Sequence, residues 1–287
     1  MYKFPEKFFP NTLNAYLQCP FKFKAHCDPE IKAKFVDTPQ NYVGKVIHAV
    51  LRDFFDITKV PIDKRAEQNI SDMVKKAWVR IPKNNFEKEF WRVEDRINLF
   101  GSREQERAFG LKTITILRNY LSGADLSVLP LSLEEWMETD LDIGINKKVK
   151  IAGRIDRIDQ NSPSFISVWD YKTGKLPFYK NVNDIVKNDL QLPLYALIVS
   201  KLYPFVEKIR VGLIYVRFSK IYDITWDRNQ LKEIESKIVS LINRIREDDK
   251  FLPRRNNLCK WCEYKDICPL AREIEEKNEE NIDEVDW

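Results

Sequence analysis

Histidine is almost absent from the chain: 287 residues contain only His26 and His48, so imidazole chemistry has two places to occur. No apolar run approaches the roughly 20 residues of a membrane span. The opening residues MYKFPEKFFP lack the apolar stretch and cleavage site of a secretory signal. No G-x-x-x-x-G-K-[ST] phosphate loop occurs, so any helicase motor must be a separate chain. Internal repeats and Gly/Ser linkers are also missing. These absences lead us to expect a cytoplasmic protein without a membrane partner. Structural disulfides are rare in that compartment, so the five cysteines need another reason.

What is present is charge. Lys and Arg number 48 against 44 Asp and Glu, a formal net charge of +4. The last residues, EIEEKNEENIDEVDW, are strongly acidic, so the body of the chain is more basic than the total and suits a polyanion partner.

Periodicity divides the chain in two. NTLNAYLQCPFKFKAHC reads as one helix, and NYVGKVIHAVLRDFFD as a second, with apolar residues at 43, 47, 50, 51 and 54 on one face. Helical stretches around 63–80 and 103–122 follow. From 131 onward LSLEEWMETDLDI, KVKIAGRIDRID and FISVWDYKT read as successive strands. DIVKNDLQLPLYALIVSKLY is then a helix, KIRVGLIYVRF a strand, and QLKEIESKIVSLINRIRE an amphipathic helix. The expected class is α+β, with a helical first half, a sheet-centred second half and a cysteine-bearing end.

The strands near 153–175, GRIDRIDQNSPSFISVWDYKTGK, carry acids where a core strand should carry Val or Ile. Alternate residues of a strand share a face, which puts Asp170 beside Lys172 and groups Arg154, Asp156 and Ile158 opposite Gly153, Ile155 and Arg157. A hairpin turning at Pro163 would bring Asp156 toward Asp170. Two facing carboxylates repel unless a cation lies between them, and oxygen ligands of this kind suit Mg²⁺ or Mn²⁺. A lysine two residues on could orient or deprotonate an attacking water and offset phosphoryl charge. The bland reading is a salt-bridged sheet edge. His48 is open to two readings as well, a satisfied core histidine or a ligand, with Gly44 one turn earlier leaving space for a ligand. Gln191 and Tyr195, four apart, share a helical face, as a polar edge or as substrate contacts.

GRIDRID…WDYKTGK followed by QLPLYALIV resembles the PD-(D/E)XK nuclease superfamily, and in particular its RecB-like branch, which includes AddB-type nuclease domains and CRISPR-associated RecB-like exonucleases. The resemblance spans about 11 to 45–55 and 148 to 270; the stretch near 60–130 matches nothing in it. It implies a restriction-endonuclease-like core, a central mixed β-sheet flanked by helices. It implies that Asp156 and Asp170 are metal-binding acids, Lys172 the catalytic lysine, the Tyr171 carbonyl and His48 further metal ligands, and Gln191 and Tyr195 the branch's Q-x-x-x-Y motif. Asp at the second acid, where other branches have Glu, is a variation the RecB-like group itself shows.

Cys259, Cys262 and Cys268 form a C-x-x-C-x5-C array in LCKWCEYKDICP, which points to a metal or cluster. A closed tetrahedral set needs a fourth ligand, from Cys19 or Cys27, and spacing alone leaves zinc and iron–sulfur open. The iron–sulfur members of the RecB-like group take one cysteine from a C-P context near the N-terminus. The resemblance therefore implies a 4Fe–4S cluster on Cys19, Cys259, Cys262 and Cys268, with Cys27 left free. Such a cluster would clip together parts of the chain about 240 residues apart.

Basic and aromatic residues interleave in FPEKFFP, FKFK, FEKEFWR and KLPFYK, a pattern that suits single-stranded nucleic acid. The expectation is a metal-dependent DNA nuclease, using Mg²⁺ or Mn²⁺ and acting on single-stranded DNA from an end. Its setting would be CRISPR adaptation or recombinational repair, beside integrase subunits or a separate helicase. The rival is a non-catalytic iron–sulfur or zinc scaffold subunit. The expected divisions are 1–30, supplying one cluster cysteine; 31–130, a helical region with His48 and a lid; 131–250, the nuclease core; 251–272, the cluster segment; and 273–287, an acidic tail.

Overall fold

Residues 130–172 form three consecutive strands, β2 (Pro130–Gly144), β3 (Lys147–Ser162) and β4 (Phe165–Lys172), paired as an antiparallel meander. The computed structural model describes residues 4–31, 37–66, 69–83, 90–176 and 181–270. Beyond β4 the chain crosses over through α7 (Val182–Asn188) and α8 (Gln191–Leu202). It returns as β5 (Lys208–Tyr215), parallel to β4, and β6 (Lys220–Asp227) then pairs antiparallel with β5. A two-residue strand, β1 (Lys7–Phe8), runs parallel to β3 at Lys150 and Ile151. The result is a mixed six-stranded sheet flanked by helices, the α+β class expected.

Each face of the sheet buries a separate core. On one side Ile158, Ile166 and Val168 pack with Leu194, Leu197 and Ile198 of α8 and with Ile238, Ile242 and Ile245 of α9 (Arg228–Glu247). On the other, Trp169, Tyr171, Ile214 and Val216 meet α3 (Pro39–Phe55), α4 (Ile70–Trp78), α5 (Val93–Phe100) and α6 (Arg103–Ser122). There α3 presents Ile47, Val50, Leu51 and Phe54, all fully buried. Its start is set by Thr38, whose hydroxyl accepts from Asn41 N–H, with Pro39 at the first turn.

Several sequence expectations need correction. The helix expected over 11–27 is two, α1 (Pro10–Gln18) and α2 (Pro20–Cys27), parted at Cys19, whose backbone is extended. Proline disfavours helical backbone in the residue before it, which explains the break. The helix expected over 184–203 is also broken, at Asp189 and Leu190. Asn14 of α1 fills that gap: its amide donates to Asp189 (2.7 Å) and its carbonyl accepts from Leu190 N–H (2.9 Å). The helix expected over 63–80 shortens to α4, after a 3-10 turn at Ile62–Lys64. The strand expected to run to 218 stops at Tyr215. Strands β1 and β6 and helix α5 were not legible in the pattern.

Strict alternation along β3 also fails. Ile155 and Ile158, three apart, join the same core, while Arg157 lies over the Phe55 ring on the opposite side. The cause is a parting of strands. β3 and β4 are paired from Arg157–Trp169 to the turn, but not beyond. Where β4 leaves, β1 takes up the edge of β3.

Candidate active site

The site lies where the strands part. Asp156 is the first residue of β3 past its last pairing with β4, and its carboxylate takes over the missing ladder bond. Oδ2 accepts the Tyr171 N–H at 2.6 Å. This fixes the acid against β4 while Oδ1 turns toward α3. There His48 Nδ1 stands 3.3 Å from Asp156 Oδ1 and 2.8 Å from Glu134 Oε1, and Nε2 lies 3.1 Å from the Tyr171 carbonyl oxygen.

Among the described residues, His48, Glu134 and Asp156 are a set of side chains able to hold a metal ion, their ligand atoms all within 4.8 Å of one another. The donors are one imidazole and two carboxylates, with a backbone carbonyl adjacent, a mixture that suits Mg²⁺ or Mn²⁺. Burial opposes a charged imidazolium, yet hydrogen bonds from Asp156 and Glu134 outweigh it and hold His48 up to about 10. The field of the two acids thus favours positive charge at this position, as a proton or as a bound cation.

Glu134 was not anticipated from sequence. It sits in β2 with φ of +50°, a left-handed conformation that is uncommon for a residue with a side chain. Strain of this sort marks positions held by their surroundings for a purpose. The other carboxylate oxygen meets Arg154 Nε at 3.0 Å. The only sequence signal was an acid pair, Glu134–Glu135, in a strand that also carries Glu138, Asp140 and Asp142, so periodicity does not distinguish it from a solvated face.

Asp170, Lys172, Gln191 and Tyr195 are gathered on the α8 side of β4. Lys172 Nζ is 2.8 Å from Asp170 Oδ2 and donates to Gln191 Oε1 at 2.6 Å. The Gln191 amide donates to Asp170 Oδ1 at 2.6 Å and reaches the Tyr195 hydroxyl at 3.2 Å. That hydroxyl donates to the Arg154 carbonyl at 2.9 Å, tying α8 back to β3. Burial is the main force raising the Asp170 carboxyl to about 6, with Lys172 lowering it and Asp156 adding to the rise. Lys172 loses to burial but gains more from Asp170, so its ammonium form is favoured. Asp170 Oδ2 is buried, and the Lys172 ammonium is the cation that faces it. Asp170 stands outside the three-residue set, turned to Lys172 and Gln191.

Two glycines set these distances. A Cβ on Gly153 would lie 2.5 Å from the Tyr195 ring, and one on Gly44 would lie 3.1 Å from the Thr173 hydroxyl. The space at Gly44 is therefore filled by the residue after Lys172, not by a ligand as expected. Behind the site Arg157 donates two buried hydrogen bonds to Asp159, from Nε at 3.0 Å and Nη2 at 2.8 Å, and its Nη1 reaches the Tyr171 hydroxyl at 3.2 Å. Trp169 Nε1 donates to Asp159 as well. This explains the second Arg–Asp pair of GRIDRID as support for Tyr171 from the far face.

Cys19, Cys259, Cys262 and Cys268 line one small pocket. Arg254 N–H points at Cys19 Sγ (3.2 Å) and Asn256 N–H at Cys259 Sγ (3.3 Å). Cys27 lies elsewhere, packed on the core beside α2. Of the basic–aromatic stretches, FPEKFFP contributes β1 and FKFK lies in α2. FEKEFWR falls mostly, and KLPFYK in its last four residues, outside the described residues, as does the acidic tail.

A family model of the PD-(D/E)XK nuclease superfamily matches residues 8–269. Among solved structures, a crystal structure of SSO0001 is similar at 16% identity and a TM-score of 0.35, over 91% of this chain and 93% of that one. One from Eubacterium rectale, described as "Putative exonuclease", is similar at 14% identity and a TM-score of 0.46, over 90% of this chain and 88% of that one.

Proposed function

The chain belongs to the PD-(D/E)XK nuclease superfamily, and from that premise we propose that it is a metal-dependent deoxyribonuclease of the RecB-like branch, digesting single-stranded DNA from an end. The observation that carries this is the convergence of His48, Glu134 and Asp156 from three different elements, one strand away from the Asp170–Lys172–Gln191 triad.

His48, Asp156, Asp170 and the Tyr171 carbonyl, joined by Glu134, would hold one or two Mg²⁺ or Mn²⁺ ions. Such ions supply Lewis acidity toward a phosphoryl oxygen and make water a stronger acid. The chain's own residues do the rest. Lys172 is held charged by Asp170 and is aimed by Gln191, so it acts as a fixed cation beside a pentacovalent phosphate rather than as a base. Gln191 couples Lys172 to Asp170, and Tyr195 anchors the helix that carries Gln191. Water attacks phosphorus, the P–O bond to the leaving nucleotide breaks, and the leaving oxygen takes a proton.

In the same reading Cys19, Cys259, Cys262 and Cys268 carry a 4Fe–4S cluster. The shared pocket and the two N–H groups aimed at sulfur are what supports a thiolate-bound metal group there. Residues 131–250 then form the catalytic core, and 31–130 deliver His48 to it. The setting is CRISPR adaptation beside integrase subunits, or repair beside a separate helicase.

The test is digestion of end-labelled single-stranded DNA with Mn²⁺, Mg²⁺ or EDTA. Glu134→Ala should weaken Mn²⁺ binding at least tenfold and abolish cleavage. Lys172→Ala should lower cleavage by two orders of magnitude or more with Mn²⁺ binding retained. Full turnover by Lys172→Ala would refute the assigned chemistry. A wild-type protein inert with every metal would favour the scaffold reading.

A further inference from the structure

A groove of about 1030 Å³ opens beside the catalytic cluster, with Gln191, Tyr195 and Arg154 at one end and Lys7, Phe9 and Trp136 further along. Trp136 and Arg154 are directly opposed across the β2–β3 ribbon. Two residues along each strand, about 7 Å away, stand Glu134 and Asp156 of the metal set. The groove is thus continuous with the chemistry.

Trp136 is 52% exposed although it lines a concave wall. Its ring leans on Phe9, centroids 5.5 Å apart at 55°, and the Lys7 ammonium lies 5.8 Å from its centroid. An open ring on a concave wall beside cations offers a face on which a base can stack. The charges there are arranged to be released. Lys7 and Lys150 share the carboxylate of Glu138, and Asp140 stands opposite Lys150, so Glu138 can stay with Lys150 when Lys7 turns to a phosphate. Arg154 pairs with Glu134, which in the proposed reading turns to the metal and frees the guanidinium. Asp189 is the acid of the groove, and its Oδ1 is already engaged by Asn14 and the Gln191 N–H.

Flat apolar ring beside releasable cations matches a strand whose phosphates are anionic and whose base faces are open. A duplex hides those faces in its stack. Resting on the nuclease reading above, the geometry points to this groove as the track of the substrate strand, with Trp136, backed by Phe9, stacking one unpaired base next to the scissile phosphate and with Arg154 and Lys7 on the flanking phosphates. The basic–aromatic stretch FPEKFFP supplies Lys7 and Phe9, but Trp136 had no neighbouring basic residue to draw attention to it.

The experiment compares Trp136→Ala and Trp136→Phe in a Lys172→Ala background, with Mn²⁺. It measures binding of a fluorescein-labelled oligothymidylate, the same strand carrying a single abasic site at successive positions, and a duplex. Trp136→Ala should weaken binding of the intact strand about tenfold, with most affinity returned by Trp136→Phe. Mn²⁺ affinity and melting temperature should stay as in the parent. One abasic position should cost the parent a similar factor and cost Trp136→Ala nothing, which identifies the base that stacks. Parent-like strand binding by Trp136→Ala would overturn the stacking site while leaving the nuclease reading intact. A parent that binds no single strand at all would overturn both.

Discussion

Asp170 and His48 carry opposite burdens in the metal-free protein. Burial raises the Asp170 carboxyl to about 6, above its ordinary value near 3.9. A raised acid contributes stability in full below its unfolded value, and that contribution is lost as pH rises through about 6. At neutral pH the apo protein therefore bears a buried negative charge, which a divalent cation would relieve. His48, held up to about 10, must lose its proton to become a ligand. Mn²⁺ affinity should accordingly climb about tenfold per pH unit between pH 6 and 9, and more steeply below 6, where Asp170 also releases a proton. Calorimetric titration across pH 5–9 checks this, and the rise in melting temperature on adding Mn²⁺ should be larger at pH 8 than at pH 5. A flat profile would remove both residues from the metal's surroundings. Asp156, Asp170 and Lys172 could be picked out from sequence because acids interrupt an apolar strand. Glu134 could not, because its role depends on a left-handed turn of β2 and on an approach by α3 that no local pattern encodes.

At the level of elements, α8 and β3 are locked by a contact that tolerates no added atom. Gly153 is that point, and Gly153→Ala should displace Tyr195, loosen its bond to the Arg154 carbonyl, and cost about 1–3 kcal/mol. Chemical denaturation should show the loss, and cleavage should fall further than stability alone explains, because Gln191 rides on the same helix. A variant as stable and active as the parent would mean that α8 can shift freely. The long helices α6 and α9 were legible from their apolar spacing, and β2, β3 and β4 from runs of strand-forming residues bounded by turn signals rather than from strict alternation. The break at Cys19 had a local signal, Pro20, that the apolar period overrode, whereas the break at Asp189 is decided by the distant Asn14 side chain. β1 escaped notice for a related reason: two residues become a strand only because β4 has left an edge for them.

The whole molecule is closed by its ends. Arg254 donates to the Leu17 carbonyl at 3.0 Å and Asn256 to the Gln18 carbonyl at 3.2 Å, flanking the four cysteines. If these hold a 4Fe–4S cluster, Cys262→Ser should bleach the protein, remove its iron and lower its melting temperature by about 5–10 °C. Iron analysis and a melting curve on anaerobic samples would decide it, since unchanged iron would sink the assignment. The same closure sets an order of events during synthesis. The segments that flank Cys19 are made before β2 to β6, yet their partners at 254 and 256 are made only after every strand of the sheet. A chain truncated near residue 250 would hold every strand of the sheet with α1 and α2 still unclasped, so a protease should cut there in the truncated chain and spare the full one.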